Sequence, residues 1–537
     1  MKLKQKVKIR FIQLSKLCLV GILITVFNVT KINAQSAEYI ENVPYEIAPV
    51  DAPFDMPALK RPIIPDRTFN ILEFGAKMMR QDKAEKCTEA IHRAIDAAYD
   101  AGGGRVLIPE GEWLTGPIHL KSNINLHLAD GATIYFSEDK NDYLPVVPQR
   151  VEGVEVFNYS PLIYAYKVKN VSITGNGVLE GQGQHWIEWW RNNRANTNRQ
   201  QATKFSLFRR KNFGKGAGKE GLRPNFVVFW KSENILIEGI TLNESPMWNI
   251  HLIYTQKAIV RNITVNSLDS PNGDGIVLDS SKDLLIEYTH LKTGDDAIVI
   301  KSGFNEEGLK INIPTKNVVI RNFYAYDVRT GSGGVVFGSE TSGGIRNIYV
   351  HDALFEECDR GIRFKTARGR GNVTENIYIR NIRLKNIRRE AINFNTFYSG
   401  SNAVGPSPLI RNVDIRDIHI DGVPKPIVLI GLPEKWLENI HLENIDIINA
   451  KEGARITRVK NLTLKNVDIE SDERALEIED AFECRLEKIT LKDKVNKPSL
   501  LLRGQHTGAV YIPGYPLTRI EFGNCLGESV LEQNPGY

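Results

Sequence analysis

Five cysteines in 537 residues are too few and too scattered for a stapled fold. Cys18 lies in an apolar N-terminal run, and Cys87, Cys358, Cys484 and Cys525 stand far apart, which suits neither a disulfide framework nor a zinc knuckle. The ten histidines include no pair at helical spacing with an acid, so zinc hydrolysis is not expected. No glycine-rich loop opens a helix, and no nucleotide cofactor is expected. Beyond the N-terminal run no apolar stretch approaches the ~20 residues that a membrane span needs. An excess of basic charge is also missing. The formal charge of +5 depends on Lys2, Lys4, Lys6, Lys8, Arg10, Lys16 and Lys31, and the chain after residue 34 holds 62 basic against 64 acidic residues. That excludes a nucleic-acid footprint.

What is present begins with that N-terminal segment. A basic start, the uncharged stretch 17–29 and Ala34 before Gln35 predict a secretory signal over residues 1–34. The mature chain is then expected in the periplasm or outside the cell, with no membrane attachment after removal of the signal. A Pro-rich leader occupies residues 35–68. Residues 87–99 carry Ala90, Ile91, Ala94, Ile95 and Ala98 at helical spacing before Gly102-Gly103-Gly104, which predicts one short amphipathic helix.

The remainder is a series of short β-type runs. Asn170-Val-Ser-Ile, Asn234-Ile-Leu-Ile, Lys257-Ala-Ile-Val, Asp283-Leu-Leu-Ile, Asn317-Val-Val-Ile and Asn347-Ile-Tyr-Val are followed by runs starting at Asn376, Asn412, Asn439 and Asn461. From residue 234 they recur every 22 to 36 residues, a solenoid period. Alternating Ile and Val with loops of variable length favour a parallel β-helix over a leucine-rich repeat. The Asn opening each rung suits a turn whose side chain stacks on the next. The predicted fold is all-β: a single right-handed parallel β-helix over 69–537, its first coil capped by the helix near 87–99 and its last coils lying after about residue 470.

Stacked coils place residues of similar phase about 4.8 Å apart. Counted from rung starts, Asn272 and Asp274 lie 15 and 17 residues after Lys257, and Asp295 and Asp296 lie 12 and 13 after Asp283. Ser332 lies 15 after Asn317, and Arg363 and Lys365 lie 16 and 18 after Asn347. Four coils would gather three acids and two bases within roughly 15 Å. Glycoside hydrolysis needs a protonated acid for the leaving oxygen and a carboxylate base for water. Crowded carboxylates supply the raised pKa, and a neighbouring Arg–Lys pair would bind an anionic sugar, most simply a uronate. Taken singly, Gly294-Asp295-Asp296 and Asn272-Gly-Asp-Gly275 read equally as plain turns.

The motifs Ser270-Pro-Asn-Gly-Asp-Gly-Ile276, Thr293-Gly-Asp-Asp-Ala-Ile-Val-Ile-Lys-Ser-Gly303 and Arg363-Phe-Lys365, in this order and spacing, resemble the polygalacturonase family of glycoside hydrolases, family 28. Ile71 to Ala76, Gly102 to Pro109, Trp113 to Pro117 and Ile173 to Gly177 extend the likeness over nearly the whole mature chain. The resemblance implies inverting hydrolysis of a galacturonide, with Asp295 as general acid, Asp274 and Asp296 holding the attacking water, and Asn272 beside them. It implies that Arg363 and Lys365 grip the uronate carboxylate and that Tyr398 touches substrate, although that tyrosine reads equally as a core aromatic. The implied partner is a pectic polysaccharide or oligogalacturonide, with no cofactor and no metal. Where many members carry Gly-His-Gly, this chain has Gly331-Ser332-Gly333, and Val277 stands where an Asp is frequent. Spacing gives Ser332 no His–Asp partners, so it reads as a small turn residue. The loop 304–314 is similar to one of exo-acting bacterial members, and a second insertion, 186–222, carries Trp186, Trp189 and Trp190, placed either on a sugar face or against the solenoid. Two other readings compete: a Ca²⁺-dependent lyase on the same fold, and a non-catalytic carbohydrate-binding β-helix.

Overall fold

The computed structural model describes residues 43–79, 85–192, 222–329, 331–525 and 530–531. The expected export signal (1–34) and most of the second insertion lie outside the described residues. Residues up to Glu46 form a unit of their own, and Ile47–Tyr537 form the unit that carries the fold.

The chain winds as a parallel β-helix. Every coil contributes inward-facing Ile, Val, Leu or Phe at alternate positions, so each rung buries its apolar side only by stacking on its neighbours. Five strands of one sheet carry the site: β1 (Ile250–Ile253), β2 (Ile276–Asp279), β3 (Ile298–Lys301), β4 (Val335–Gly338) and β5 (Arg360–Lys365). They pair in parallel, with Ile250, Ile276, Ile298, Val335 and Ile362 in one column facing the core. Phe337, Phe364 and Phe394 stack in a second inward column, with centroids 4.2 and 4.0 Å apart. The alternate residues, Val277, Val299, Val336 and Arg363, face outward in register.

The helix α1 (Thr88–Asp100) buries Ala90, Ile91, Ala94, Ile95 and Ala98 against the first strands, covering an end that would otherwise offer unpaired backbone. On a second helix, α2 (Gly183–Asn192), Trp186 is fully buried against Tyr143 and Tyr159 and serves the core rather than a sugar. At the other end, strands Leu500–Arg503, Gly508–Tyr511 and Ile520–Gly523 continue the stacking. Part of the Pro-rich leader has a role that its composition did not disclose. Ile47, Val50, Ala52, Phe54, Met56 and Leu59 lie along Leu236, Ile259, Leu285 and Val319 on an outer sheet face. Beside them runs a buried charge ladder: Arg261 Nη1 donates to Glu238 (2.9 Å) and its Nε to Glu287 (2.8 Å), while Arg321 Nε donates to Glu287 (2.9 Å). Arg61 closes it on Glu238 at 2.7 Å, and Arg321 Nη2 reaches the Ala48 carbonyl at 3.0 Å.

The rung-opening asparagines form the expected ladder. Asn317, Asn347, Asn376, Asn412, Asn439 and Asn461 all adopt left-handed backbone (φ 53° to 57°), which Asn tolerates because its short amide bonds locally. Each side-chain amide donates to the residue one coil below, at 2.8 to 3.2 Å. Lys257, also left-handed, interrupts the ladder between Asn234 and Asp283. Its ammonium pairs instead with Glu233, which Lys169 also reaches. Replacing Lys257 with Asn should therefore extend the lower half by one rung through donation to Asn234, although the Asp283 side chain has no N–H to continue it from above, and raise the thermal midpoint by about 1–2 °C, whereas Asn347→Ala should cost about 1–2 kcal/mol. Thermal denaturation followed by circular dichroism checks both signs.

Candidate active site

The acids lie in the turns that enter β2 and β3. Asp274 sits two residues before Ile276 and Asp296 two before Ile298, so pairing of the strands stacks them directly. Counting from rung starts separates the two by four positions. The difference is taken up by Leu268–Pro271, which loops out after Ser267, the partner of Thr293 in the preceding sheet. The backbone of the stack is well tied. Asp274 accepts at its carbonyl from Asn249 N (2.8 Å) and Nδ2 (3.1 Å), Gly275 N donates to Asp296 O (2.9 Å), and Ala297 N donates to Gly333 O (2.9 Å). Gly294 is required here, because a Cβ would lie 2.0 Å from the Ser270 carbonyl.

The bases stand differently from the phase count. Arg363 and Lys365 are on β5 itself, one and three residues past Ile362, rather than in the turn before it. Only the Lys365 side chain reaches back to an acid. Lys365 Nζ lies 2.6 Å from Asp296 Oδ2, so its charge is engaged with an acid of the cluster rather than left open for a uronate. Burial disfavours that ammonium, but Asp296 together with Tyr398 and Asp295 outweighs it, holding the Lys365 pKa above its usual range. Arg363 has no carboxylate within ion-pair distance among the described residues. It donates to the Gly331 carbonyl and lies 5.6 Å from the ring centre of Tyr398. Tyr398 is partly exposed, with Lys365 also 5.6 Å from its ring, so it stands at the mouth of the site and not in the core.

Two residues missed in the sequence complete the cluster. Lys301, the last residue of β3, places its ammonium 3.5 Å from Asp274 Oδ2 and 3.1 Å from Glu340 Oε2. It also lies 4.4 Å from the Trp248 ring. Lys301 and Lys365 occupy the same place on β3 and β5, with Gly338 of β4 leaving the space between them free of a side chain. That shared position was a signal that sequence counting could have used. Glu340 follows β4 in an irregular turn and carried no signal.

Asp295 differs from its neighbours in having no lysine contact. It is half-buried on the cleft floor, and its Oδ1 accepts from the Asp296 backbone (2.9 Å) and from Ser332 Oγ (3.3 Å). Ser332, read from spacing as a plain turn residue, thus touches the acid. Enclosure, and then the Asp296 charge, push the Asp295 carboxyl up to about 6. Burial, followed by Asp295 itself, raises Asp274 well above the carboxylate range too. The two therefore titrate as a coupled pair. The Lys301 ammonium beside Asp274 favours the negative charge there and the proton on Asp295. Asn272 is half-buried in left-handed backbone (φ 57°) beside Asp274, and its Oδ1 accepts from Arg223.

One side of the cluster is walled. A hairpin, Val147–Val151 with Val154–Asn158, lays Val151, Val154 and Val156 over Val277, Val299 and Val336. Arg150 is buried under it and donates to Asp279 Oδ1 at 2.9 Å. At the hairpin tip the Gly153 carbonyl accepts from Phe304 N (3.2 Å), and a Cβ on Gly153 would lie 2.9 Å from Glu340. The helix α3 (Asn305–Ile311), inside the insertion noted in the sequence, locks the same tip through Glu307, which accepts from Glu155 N at 2.7 Å.

Comparison with known proteins agrees with this geometry. Residues 104–427 match the model of glycosyl hydrolases family 28. A probable polygalacturonase of Vitis vinifera is 30% identical over 72% of this chain and 75% of its own. An exo-poly-alpha-D-galacturonosidase of Dickeya chrysanthemi is 26% identical over 63% of this chain and 58% of its own. The crystal structure of a hyperthermoactive exopolygalacturonase from Thermotoga maritima superposes with a TM-score of 0.67 at 38% identity, covering 74% of this chain and 89% of that one. A stacked acid cluster on a parallel β-helix and a family match over more than half its length place this chain in glycoside hydrolase family 28.

Proposed function

We propose that the chain is an exo-acting, inverting hydrolase that removes terminal α-linked galacturonic acid from pectic polysaccharide or oligosaccharide. The observation that carries this reading is the asymmetry of the acids. Asp274 and Asp296 each lie within ion-pair distance of an ammonium, whereas the Asp295 carboxyl is hydrogen-bonded to a hydroxyl and a backbone N–H and has no ion pair among the described residues. Asp295 is thereby the proton donor and the other two are the anions. A water held by Asp274 and Asp296 attacks the anomeric carbon and gives its proton to that carboxylate pair. Asp295 protonates the departing glycosidic oxygen, and the new C–O bond forms on the face opposite the one that breaks. Arg363, with no acid of its own, takes the sugar carboxylate, and Tyr398 lies beside it at the mouth.

The exo mode is supported by the hairpin and α3, which stand against the acid cluster through Glu340 and wall one side of it. It is supported as well by the exo activity named for the Thermotoga and Dickeya proteins. The lyase alternative has no comparable support, and a family of hydrolases weighs against it. We also propose export, with Gln35 as the first residue of the mature chain, on the basic and apolar pattern of residues 1–34.

On a panel of pectic oligosaccharides the product should be monomeric galacturonic acid, formed as the inverted anomer by NMR of fresh product, with no ultraviolet-absorbing unsaturated sugar and no loss of activity in chelator. Asp295→Asn should lower kcat by about a hundredfold or more, and a loss smaller than about tenfold would remove Asp295 from the role of acid. Because the acid must be protonated, kcat/KM should fall as pH rises through about 6. Lys301→Met should move the other limb. With its ammonium gone Asp274 ionises less readily, so the acidic limb of the pH profile should shift upward by about one unit.

A further inference from the structure

Arg223 is the most conspicuous buried charge that the mechanism leaves unused. It is 1% exposed and sits just before the strand Val227–Trp230, two coils below β2. Its Nη1 donates to the Pro246 carbonyl (2.8 Å) and the Pro271 carbonyl (2.7 Å), and its Nη2 donates to Asn272 Oδ1 (2.9 Å). The guanidinium lies 4.3 Å from the Trp190 ring on α2. No carboxylate of the described residues is within ion-pair distance, and Nε is buried without a hydrogen-bond partner. Burying a cation against neutral acceptors alone is costly, and burial indeed depresses the pKa of this group. An apolar side chain would fill the place at less cost if filling were its whole purpose.

Two features tie the charge to the reaction. The first is mechanical. Pro271 and Asn272 belong to the excursion that brings Asp274 level with Asp296, and Asn272 is held in left-handed backbone. Within that excursion the backbone bonds are Ser270 N to Ser267 O (3.2 Å) and Gly273 N to Ser270 O (2.9 Å). The Arg223 fork supplies the contacts that anchor it to the coil beneath. The second is electrostatic. The charges felt by Arg223 are Glu152 at the hairpin tip, Arg191 on α2 and Asp295. Asp295 in turn is faced by Asp296, Asp274, Lys365, Lys301 and Arg223, together with the neutral Ser332. Lys301 and Lys365 are each engaged by other acids, whereas Arg223, like Arg363, has no carboxylate within ion-pair distance among the described residues.

We propose that Arg223 is a positioning residue of the active site: its fork fixes the turn that presents Asp274, and its charge adds to that of Lys365 and Lys301 in the field where Asp295 releases its proton. The proposal rests on Asp295 as the acid, and it differs from a purely structural role in what happens to the pH profile. Removing a positive charge makes Asp295 hold its proton to higher pH, so the alkaline limb of kcat/KM should move up while the rate falls.

The test compares Arg223→Met and Arg223→Lys with the wild type on the same oligogalacturonide, with thermal midpoints recorded for each. Arg223→Met should lower kcat by about tenfold or more, change KM by less than about threefold, and raise the alkaline limb by about half a pH unit. Arg223→Lys keeps the charge but cannot span the three acceptors, so kcat should fall and the limb should stay in place. An unmoved limb in the folded methionine variant, or a loss carried wholly by KM, overturns the proposal. If the methionine variant does not fold, the lysine variant decides: a kcat loss with an unmoved limb supports it, and a displaced limb or full activity overturns it. Wild-type protein inactive on every galacturonide would instead reject the function, a result distinct from any of these.

Discussion

The spacing of parallel strands governs this molecule. Coils about 4.8 Å apart cannot separate side chains of equal phase, so two acids in one column must meet as neighbours. In water that repulsion would be slight, and in the enclosed cleft it becomes several-fold stronger. Three arrangements relieve it: an ammonium on Asp296, an ammonium shared by Asp274 and Glu340, and a proton retained on Asp295. The chemistry is a consequence of that relief. A proton kept because two neighbours cannot all be ionised is a proton available to a leaving group.

The scaffold makes such crowding bearable because its register is overdetermined. Inward columns of Ile, Val and Phe, the asparagine ladder and the charge ladder under the leader each fix neighbouring coils independently. A slip of one residue would turn every apolar side chain outward. The acids can therefore be placed at a separation that a flexible loop would not sustain. The hairpin and α3 add the remaining element, a wall that meets the cluster at Gly153 and Glu340.

Much of this was legible in the sequence, and the reasons for the gaps are physical. The repeat of Asn-initiated rungs specified the solenoid and its ladder, because turn chemistry and alternation are local properties. The acids were legible because stacking converts phase into distance. Counting failed where a loop such as Leu268–Pro271 lengthened one coil, and the similar phase did not disclose that Arg363 and Lys365 lie on a strand while the acids lie in turns. Ser332 was underestimated for the same reason, since its contact with Asp295 joins residues 37 apart in the chain. The hairpin at 147–158, the strap formed by Ile47–Leu59 and the roles of Glu340 and Arg223 left no periodic trace, because each depends on contacts between distant segments. Trp186 had two open placements, and only the packed core decided between them.

The central claim is that one carboxyl of the trio retains its proton where ordinary carboxylates have lost theirs. Infrared difference spectroscopy of wild type against Asp295→Asn, recorded from about pH 4 to about pH 8, reads that proton directly. A protonated-carboxyl band that titrates near pH 6 in the wild type and is absent from the variant is the expected result. A wild-type spectrum in which every carboxyl titrates near the unperturbed value of about 4 would contradict it.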